Sequence, residues 1–173
     1  MKENTIRLAG ISYESLVNGP GIRRVLFSQG CVHNCEGCFN KETHSFNGGN
    51  LMDMDEIIKD IIDSPFIKGV TFSGGDPWEQ ADKFAYIGEK LKEKDINIWS
   101  YTGYTFDYII ENKDKRAGWN DLLNVVDVLI DGKFELRNKK SDLRYKGSSN
   151  QRIIDVKESI ISKKLKTLDT SPA

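Results

Sequence analysis

The sequence predicts an α/β protein whose mostly parallel sheet curves into an open partial barrel. Three observations carry this. Short apolar runs of strand length alternate with segments of helical periodicity, and a strand, helix, strand order implies right-handed parallel crossovers. The runs end in Gly- or Asp-containing turns such as Ser73-Gly74-Gly75-Asp76-Pro77 and Asp131-Gly132. With 173 residues there are too few such units to close a full eight-stranded barrel.

Taken in order, residues 5 to 13 alternate loosely between apolar and polar and predict a strand against the body. Val17 to Arg23 is turn-rich and leads into Arg24 to Ser28, a buried strand. Met52 to Asp63 predicts a helix. Asp53 serves as its cap with Glu56 three residues on, Met52 and Ile57 form a hydrophobic staple, and Met54, Ile57, Ile58, Ile61 and Ile62 line one face. Val70 to Phe72 is a strand. Asp76 caps the helix after it, with Pro77 first, Glu79 third, and Ala81, Phe84, Ala85 and Leu91 facing inward. Ile96 to Ser100 and Val126 to Ile130 are strands, with helices at Phe106 to Glu111 and Asn120 to Val125 between them. Ile153 to Val156 reads as an edge strand. One domain is expected over residues 1–156, with a frayed carboxy-terminal tail over 157–173.

Hydrophobic residues at 38% and charged residues at 29% exclude a disordered or membrane chain. No apolar run approaches bilayer length and the first ten residues carry no signal-peptide core, so the expected compartment is the cytoplasm. The net charge of -1 hides an asymmetry: residues 133–166 carry eleven Lys and Arg against four Asp and Glu, a net of +7. Such a stretch suits an acidic partner or an anionic ligand group, or is a solvated face; it lacks the aromatic interleaving of a nucleic-acid surface.

All three cysteines fall within eight residues, Cys31, Cys35 and Cys38, spaced C-x3-C-x2-C, with Gly30 and Gly37 letting the backbone wrap tightly. In a reducing compartment this is a metal-binding loop. A closed structural zinc site needs four ligands, whereas a 4Fe-4S cluster on three cysteines leaves one iron for a small molecule. His33 or His44 could complete a Cys3His zinc site instead, although His33 reads better as a residue behind the ligands and His44 as surface. Trp78, Trp99 and Trp119 read as core or interface aromatics.

The triplet followed by Phe39 resembles the radical S-adenosylmethionine (SAM) superfamily. Three further stretches narrow the resemblance to glycyl-radical activating enzymes. Asn18-Gly19-Pro20-Gly21-Ile22-Arg23 is similar to a segment before the cluster strand, with Asn18 in place of an acid. Ser73 to Pro77 resembles the motif that holds the SAM amino group. Asp131-Gly132-Lys133-Phe134-Glu135 with Gly147-Ser148-Ser149-Asn150-Gln151-Arg152 is similar to the subfamily that activates anaerobic ribonucleoside-triphosphate reductase.

The resemblance implies a 4Fe-4S cluster on Cys31, Cys35 and Cys38 and SAM contacts at Gly37, Cys38, Phe39, Gly74, Gly75 and Asp76. The backbone of Phe39 would lie near the adenine. Carbonyls before the second helix would receive the ammonium, with Asp76 either a contact or only a cap. The implied partners are the reductase as protein substrate and a reducing electron donor such as flavodoxin or ferredoxin. No nucleic acid or membrane is expected, and no acid–base dyad is required because cluster and SAM carry the chemistry. Two alternatives stand beside this one: a radical SAM enzyme for another glycyl-radical protein or a pterin, and a non-catalytic metal module for electron transfer or docking.

Overall fold

The computed structural model describes residues 4–168. Seven strands form one sheet in the order β3-β1-β2-β4-β5-β6-β7. They are β1 (Thr5–Ser15), β2 (Arg23–Ser28), β3 (Asn50–Asp53), β4 (Gly69–Gly74), β5 (Asn97–Tyr101), β6 (Val128–Asp131) and β7 (Arg152–Asp155). The four central strands β2, β4, β5 and β6 are parallel, as strands joined by helical crossovers must be. β1 and β3 on one side and β7 on the other pair antiparallel. All four parallel strands therefore finish on the same edge, at Ser28, Gly74, Tyr101 and Asp131.

Alternation along the strands separates two apolar faces. Phe72, Ile98, Leu129 and Ile154 join the large core with helices α1 (Met54–Ile62), α2 (Ala81–Lys92), α3 (Phe106–Asn112) and α4 (Trp119–Val125). Trp99, Val128, Ile130 and Ile153, one residue out of phase, form a smaller cluster with Tyr101 and Tyr145. Arg23 is buried on that second face. Its guanidinium donates to Thr71 Oγ1, Val70 O and Asn97 O and lies 5.6 Å from the Trp99 ring centre. Burial pushes its pKa down to about 10 despite the pull of Asp127.

Most helices follow the sequence expectation. Asp53 caps α1 by accepting from the Glu56 amide at 3.1 Å, and Met54, Ile57, Ile58 and Ile61 are buried. Ile62, expected inward, is 37% exposed. Met52 lies before the helix, in β3, because its backbone completes the pairing with Ile6 of β1. Pro77–Gln80 forms a 3-10 turn capped by Asp76, and α2 starts only at Ala81 with the four expected residues buried.

The tail expected to fray from Lys157 instead folds. Asp155 caps helix α5 (Val156–Ser162), and the chain then returns so that Asp155 N donates to Lys166 O and Leu168 N to Ile153 O. This satisfies backbone groups that the edge strand β7 would otherwise expose. Residues 169–173 of that tail lie outside the described residues. Among the described residues no helix is long and apolar enough to cross a membrane.

Candidate metal and cofactor site

The loops leaving the four parallel strands meet over their shared edge, where open α/β sheets place ligands. They enclose a cavity of about 450 Å³ whose walls include all three cysteines, Phe39, Ser73, Gly74, Gly75, Thr102, Gly103, Gly132, Phe134, Lys146 and Gly147.

The cysteine loop is closed at its base by backbone bonds from Gly30 N to Thr43 O (2.7 Å) and Cys31 N to His44 O (3.2 Å). Buried Gln29 spans it from within, its Nε2 donating to Glu42 O and Ser45 O. Left-handed backbone at Asn34 and Gly37 turns the chain twice between Cys31 and Cys38, and the Asn40 amide donates to Cys38 Sγ at 3.4 Å. All three thiols are half-buried. Burial pushes the Cys31 thiol up to about 11 and raises that of Cys35, against smaller downward pulls from the backbone of His33 and Phe134. Metal uptake must therefore expel protons from these sulfurs.

The glycine pair at the end of β4 receives this loop. Gly75 N donates to Ser28 O and Asp76 N to Gly30 O, both at 2.8 Å. A Cβ on Gly75 would lie 2.8 Å from Thr43 O, and one on Gly74, which adopts φ +100°, would lie 2.6 Å from Phe27 C. The sequence left open whether the pair makes a tight turn or a close ligand approach. The nearest approaching backbone is that of the cysteine loop itself, while Ser73, Gly74 and Gly75 still present atoms to the cavity.

Asp76 is fully buried, and both its carboxylate oxygens are engaged. Oδ1 accepts from Trp78 N (3.0 Å), and Oδ2 from Thr102 Oγ1 (2.9 Å), Gly103 N (2.9 Å) and His33 Nε2 (2.6 Å). Asp76 is absent from the cavity wall, and its carboxylate both caps the turn that follows and serves as a hub. It ties the cysteine loop, through His33, to the loop after β5. The His33 side chain is 5% exposed and packs edge-on against Tyr104, 4.5 Å between ring centres.

On the opposite wall the rings of Phe39 and Phe134 meet at 4.9 Å, with Lys139 Nζ 5.1 Å from the centre of the Phe39 ring. Gly37 sits against Leu136: a Cβ there would lie 3.0 Å from Leu136 Cδ1. His44, expected at the surface, is half-buried in the cavity wall, and its Nε2 is buried without a partner among the described residues. Thr43, Thr102 and Gly103 were not singled out as site residues from sequence, because nothing local marks them, and Phe134 entered only as part of the Asp131 to Glu135 stretch.

These residues fit an iron–sulfur cluster with a small-molecule ligand. Three thiols, the orphaned imidazole nitrogen of His44 and a wall of glycines line one space large enough for both. Among the described residues no group of three or more His, Cys, Asp and Glu is placed to hold a single metal ion; a 4Fe-4S cluster would instead take each cysteine on a different iron.

Comparison with known proteins agrees. Residues 17–154 match the family model of a 4Fe-4S single cluster domain. In solved structures, QueE from Escherichia coli shares the fold with a TM-score of 0.50 and 13% identity, over 60% of this chain and 54% of that one. Anaerobic ribonucleoside-triphosphate reductase-activating proteins are similar over 79% of this chain. The one from Enterobacteria phage T4 is 38% identical (86% of its length), that from Vibrio cholerae 39% (89%) and that from Escherichia coli K12 35% (90%). Identity at this level across nearly the whole relative, on a cavity built from the three cysteines, places this chain in the family of the anaerobic ribonucleoside-triphosphate reductase-activating proteins.

Proposed function

We propose that this protein is a radical SAM activase that installs a glycyl radical on an anaerobic ribonucleoside-triphosphate reductase. The observation that carries the reading is the meeting of the three-cysteine loop and the glycine pair of β4 in one cavity with an open mouth. When bound, the cluster supplies one electron to the SAM sulfonium, which yields methionine and a 5'-deoxyadenosyl radical able to take a hydrogen atom from a glycine of the reductase.

The chain's own work is holding and shielding. Cys31, Cys35 and Cys38 hold three irons as thiolates. Carbonyls at the end of β4, around Ser73 and Gly74, receive the ammonium of the methionine moiety, with Gly75 letting the cysteine loop close against them. Gly37 and the backbone of Cys38 and Phe39 form the side that takes the adenosine. The open mouth admits the reductase's glycine-bearing loop, since 173 residues cannot enclose a protein substrate. The electron comes from a small cytoplasmic reductant of the flavodoxin or ferredoxin class.

The test is anaerobic reconstitution, reduction, and addition of SAM with the reductase. A glycyl radical signal by electron paramagnetic resonance, dependent on all three additions, is expected. A colourless protein holding stoichiometric zinc, or a reduced cluster that leaves SAM intact, would overturn the reading.

A further inference from the structure

The Gly147 to Arg152 stretch has the composition of a ligand-reading loop, but its side chains are engaged with the protein's own backbone in a regular order. Arg152 donates to Asp131 Oδ1 (3.0 Å) and Oδ2 (2.6 Å). Gln151 Nε2 donates to Gly132 O at 3.0 Å and Asn150 Nδ2 to Lys133 O at 2.8 Å, while Ser148 Oγ accepts from Glu135 N at 3.1 Å. Each step back from 152 meets one step forward from 131. That continues the β6–β7 register, whose last backbone pair is Asp131 with Arg152. The antiparallel pairing thus runs on past the strand ends, with side chains in place of one backbone.

One rung lacks a side-chain tie, that of Ser149 and Phe134, and there the opposite partner turns to the site. The Phe134 ring meets Phe39, the residue after Cys38, and lines the same cavity as Cys35. Gln151 also folds its own loop, its Oε1 accepting from Gly147 N (2.8 Å) and Ser148 N (3.2 Å). Gly147 leaves room for the ring pair: a Cβ there would lie 3.1 Å from both Phe134 Cδ2 and Phe39 Cε2.

We propose that Ser148, Asn150, Gln151 and Arg152 are positioning residues for the cluster: they read neither SAM nor the partner, but clamp residues 131–135 so that Phe134 closes against Phe39 in the wall of the cysteine cavity. Ser148 and Gln151 are buried, with their polar atoms engaged inside the chain, so a ligand would have to break this ladder to use them. A ring pair closed over the cysteine loop limits the access of water to a cluster bound there, which disfavours its more negative, reduced state. The inference rests on the three-cysteine cluster proposed above.

The test uses the reconstituted full chain, with no SAM or reductase present, and compares wild type with Gln151→Ala, Ser148→Ala and the control Ser149→Ala. At a fixed poise the ratio of reduced to oxidised cluster should rise about tenfold in the first two as water gains access, equivalent to ~59 mV for a one-electron couple. The paramagnetic spectrum of the reduced cluster should shift with it, and the control should match wild type. Gln151→Glu, which keeps the acceptor for two amides, should reverse part of the shift. Ser148→Ala removes one bond at almost constant volume, so it remains informative if the Gln151 variant does not fold. A wild-type cluster with unchanged SAM-free properties in all variants would overturn the inference alone. Separate titrations of the same variants with SAM and with the reductase give two further overturning outcomes: a drop only in SAM affinity would assign the stretch to the cofactor, and a rise only in the reductase concentration needed for radical formation would assign it to the partner. A wild-type chain that takes up no 4Fe-4S cluster would instead sink the reading on which the inference rests.

Discussion

Gly75→Ala tests whether the glycine pair exists for the protein's own backbone or for a ligand. Gly75 has an ordinary φ, so the cost of alanine there is steric rather than conformational. Its Cβ would fall 2.8 Å from both Thr43 O and Gly30 C, and those atoms belong to a loop base fixed by the Gly30 to Thr43 bond, with no flexible side chain to move aside. Overpacking of this kind costs about 1–3 kcal/mol. Replacing glycine returns about 0.4–1 kcal/mol through the unfolded chain, leaving a net loss of about 1–2 kcal/mol. For a chain of this size that is a fall in Tm of about 2–8 °C. The contrast is Gly10→Ala, whose Cβ meets nothing within 4 Å and whose melting point should hold or rise slightly. Thermal unfolding of the cluster-free protein reads the stability, and iron content after anaerobic reconstitution reads the seat of the cysteine loop; both should fall for Gly75→Ala and neither for Gly10→Ala. If Gly75→Ala melts like wild type and retains its iron but loses SAM affinity, the glycine faces the ligand and the steric account is wrong.

Four other substitutions and one truncation follow from the same geometry. Cys31→Ala, Cys35→Ala and Cys38→Ala should each abolish reductive SAM cleavage, measured as 5'-deoxyadenosine formed; full cleavage by any one would remove that residue from the ligand set. Asp76→Asn weakens acceptance from Trp78, Thr102, Gly103 and His33, and since bonds to a charged group contribute about 1.5–3 kcal/mol, the urea midpoint should fall by a clearly measurable amount. An unchanged midpoint with weakened SAM binding would show that Asp76 reaches the ligand. Ending the chain after Val156 removes the two backbone bonds that cover β7, a loss of about 1–3 kcal/mol from those alone; a truncated protein that melts like the full chain would mean the tail contributes nothing.

What the sequence disclosed divides by the range of the interactions. The central strands and helices α1 to α4 were legible because periodicity and capping residues act within a few positions. The cysteine loop was legible because its ligands are adjacent. β3 was not, since four residues offer no period and the capping pattern at Asp53 drew Met52 into the helix. The hub at Asp76 was invisible because His33 and Thr102 lie 43 and 26 residues away. His44 went to the surface in the sequence reading because nothing near it signals a wall. The polar residues of 148–152 were correctly seen as rich in donors and acceptors, but their partners follow from the β6–β7 register, which only the fold supplies.

The carboxylates behind the cavity are held by the protein itself. His44 Nε2 in the cavity wall has no partner among the described residues, whereas Asp76 is held by four donors, Asp131 by Arg152 and the Phe106 amide, and Glu79 by Tyr104 and Arg116. The same holds for a hydrogen-atom donor. Tyr101 lines the cavity, yet its O–H donates to Tyr145 O, and burial raises its pKa so that the neutral, bonded phenol persists. Tyr145 lines the wall as well, and the thiols there lose their hydrogens when they bind iron. A carbon-centred radical would take the nearest weakly held hydrogen, so a site made this way favours transfer from a glycine brought in through the mouth over quenching by the wall. Asp76, Asp131 and Glu79, which look catalytic by type, are thus used here to hold the loops around the cavity.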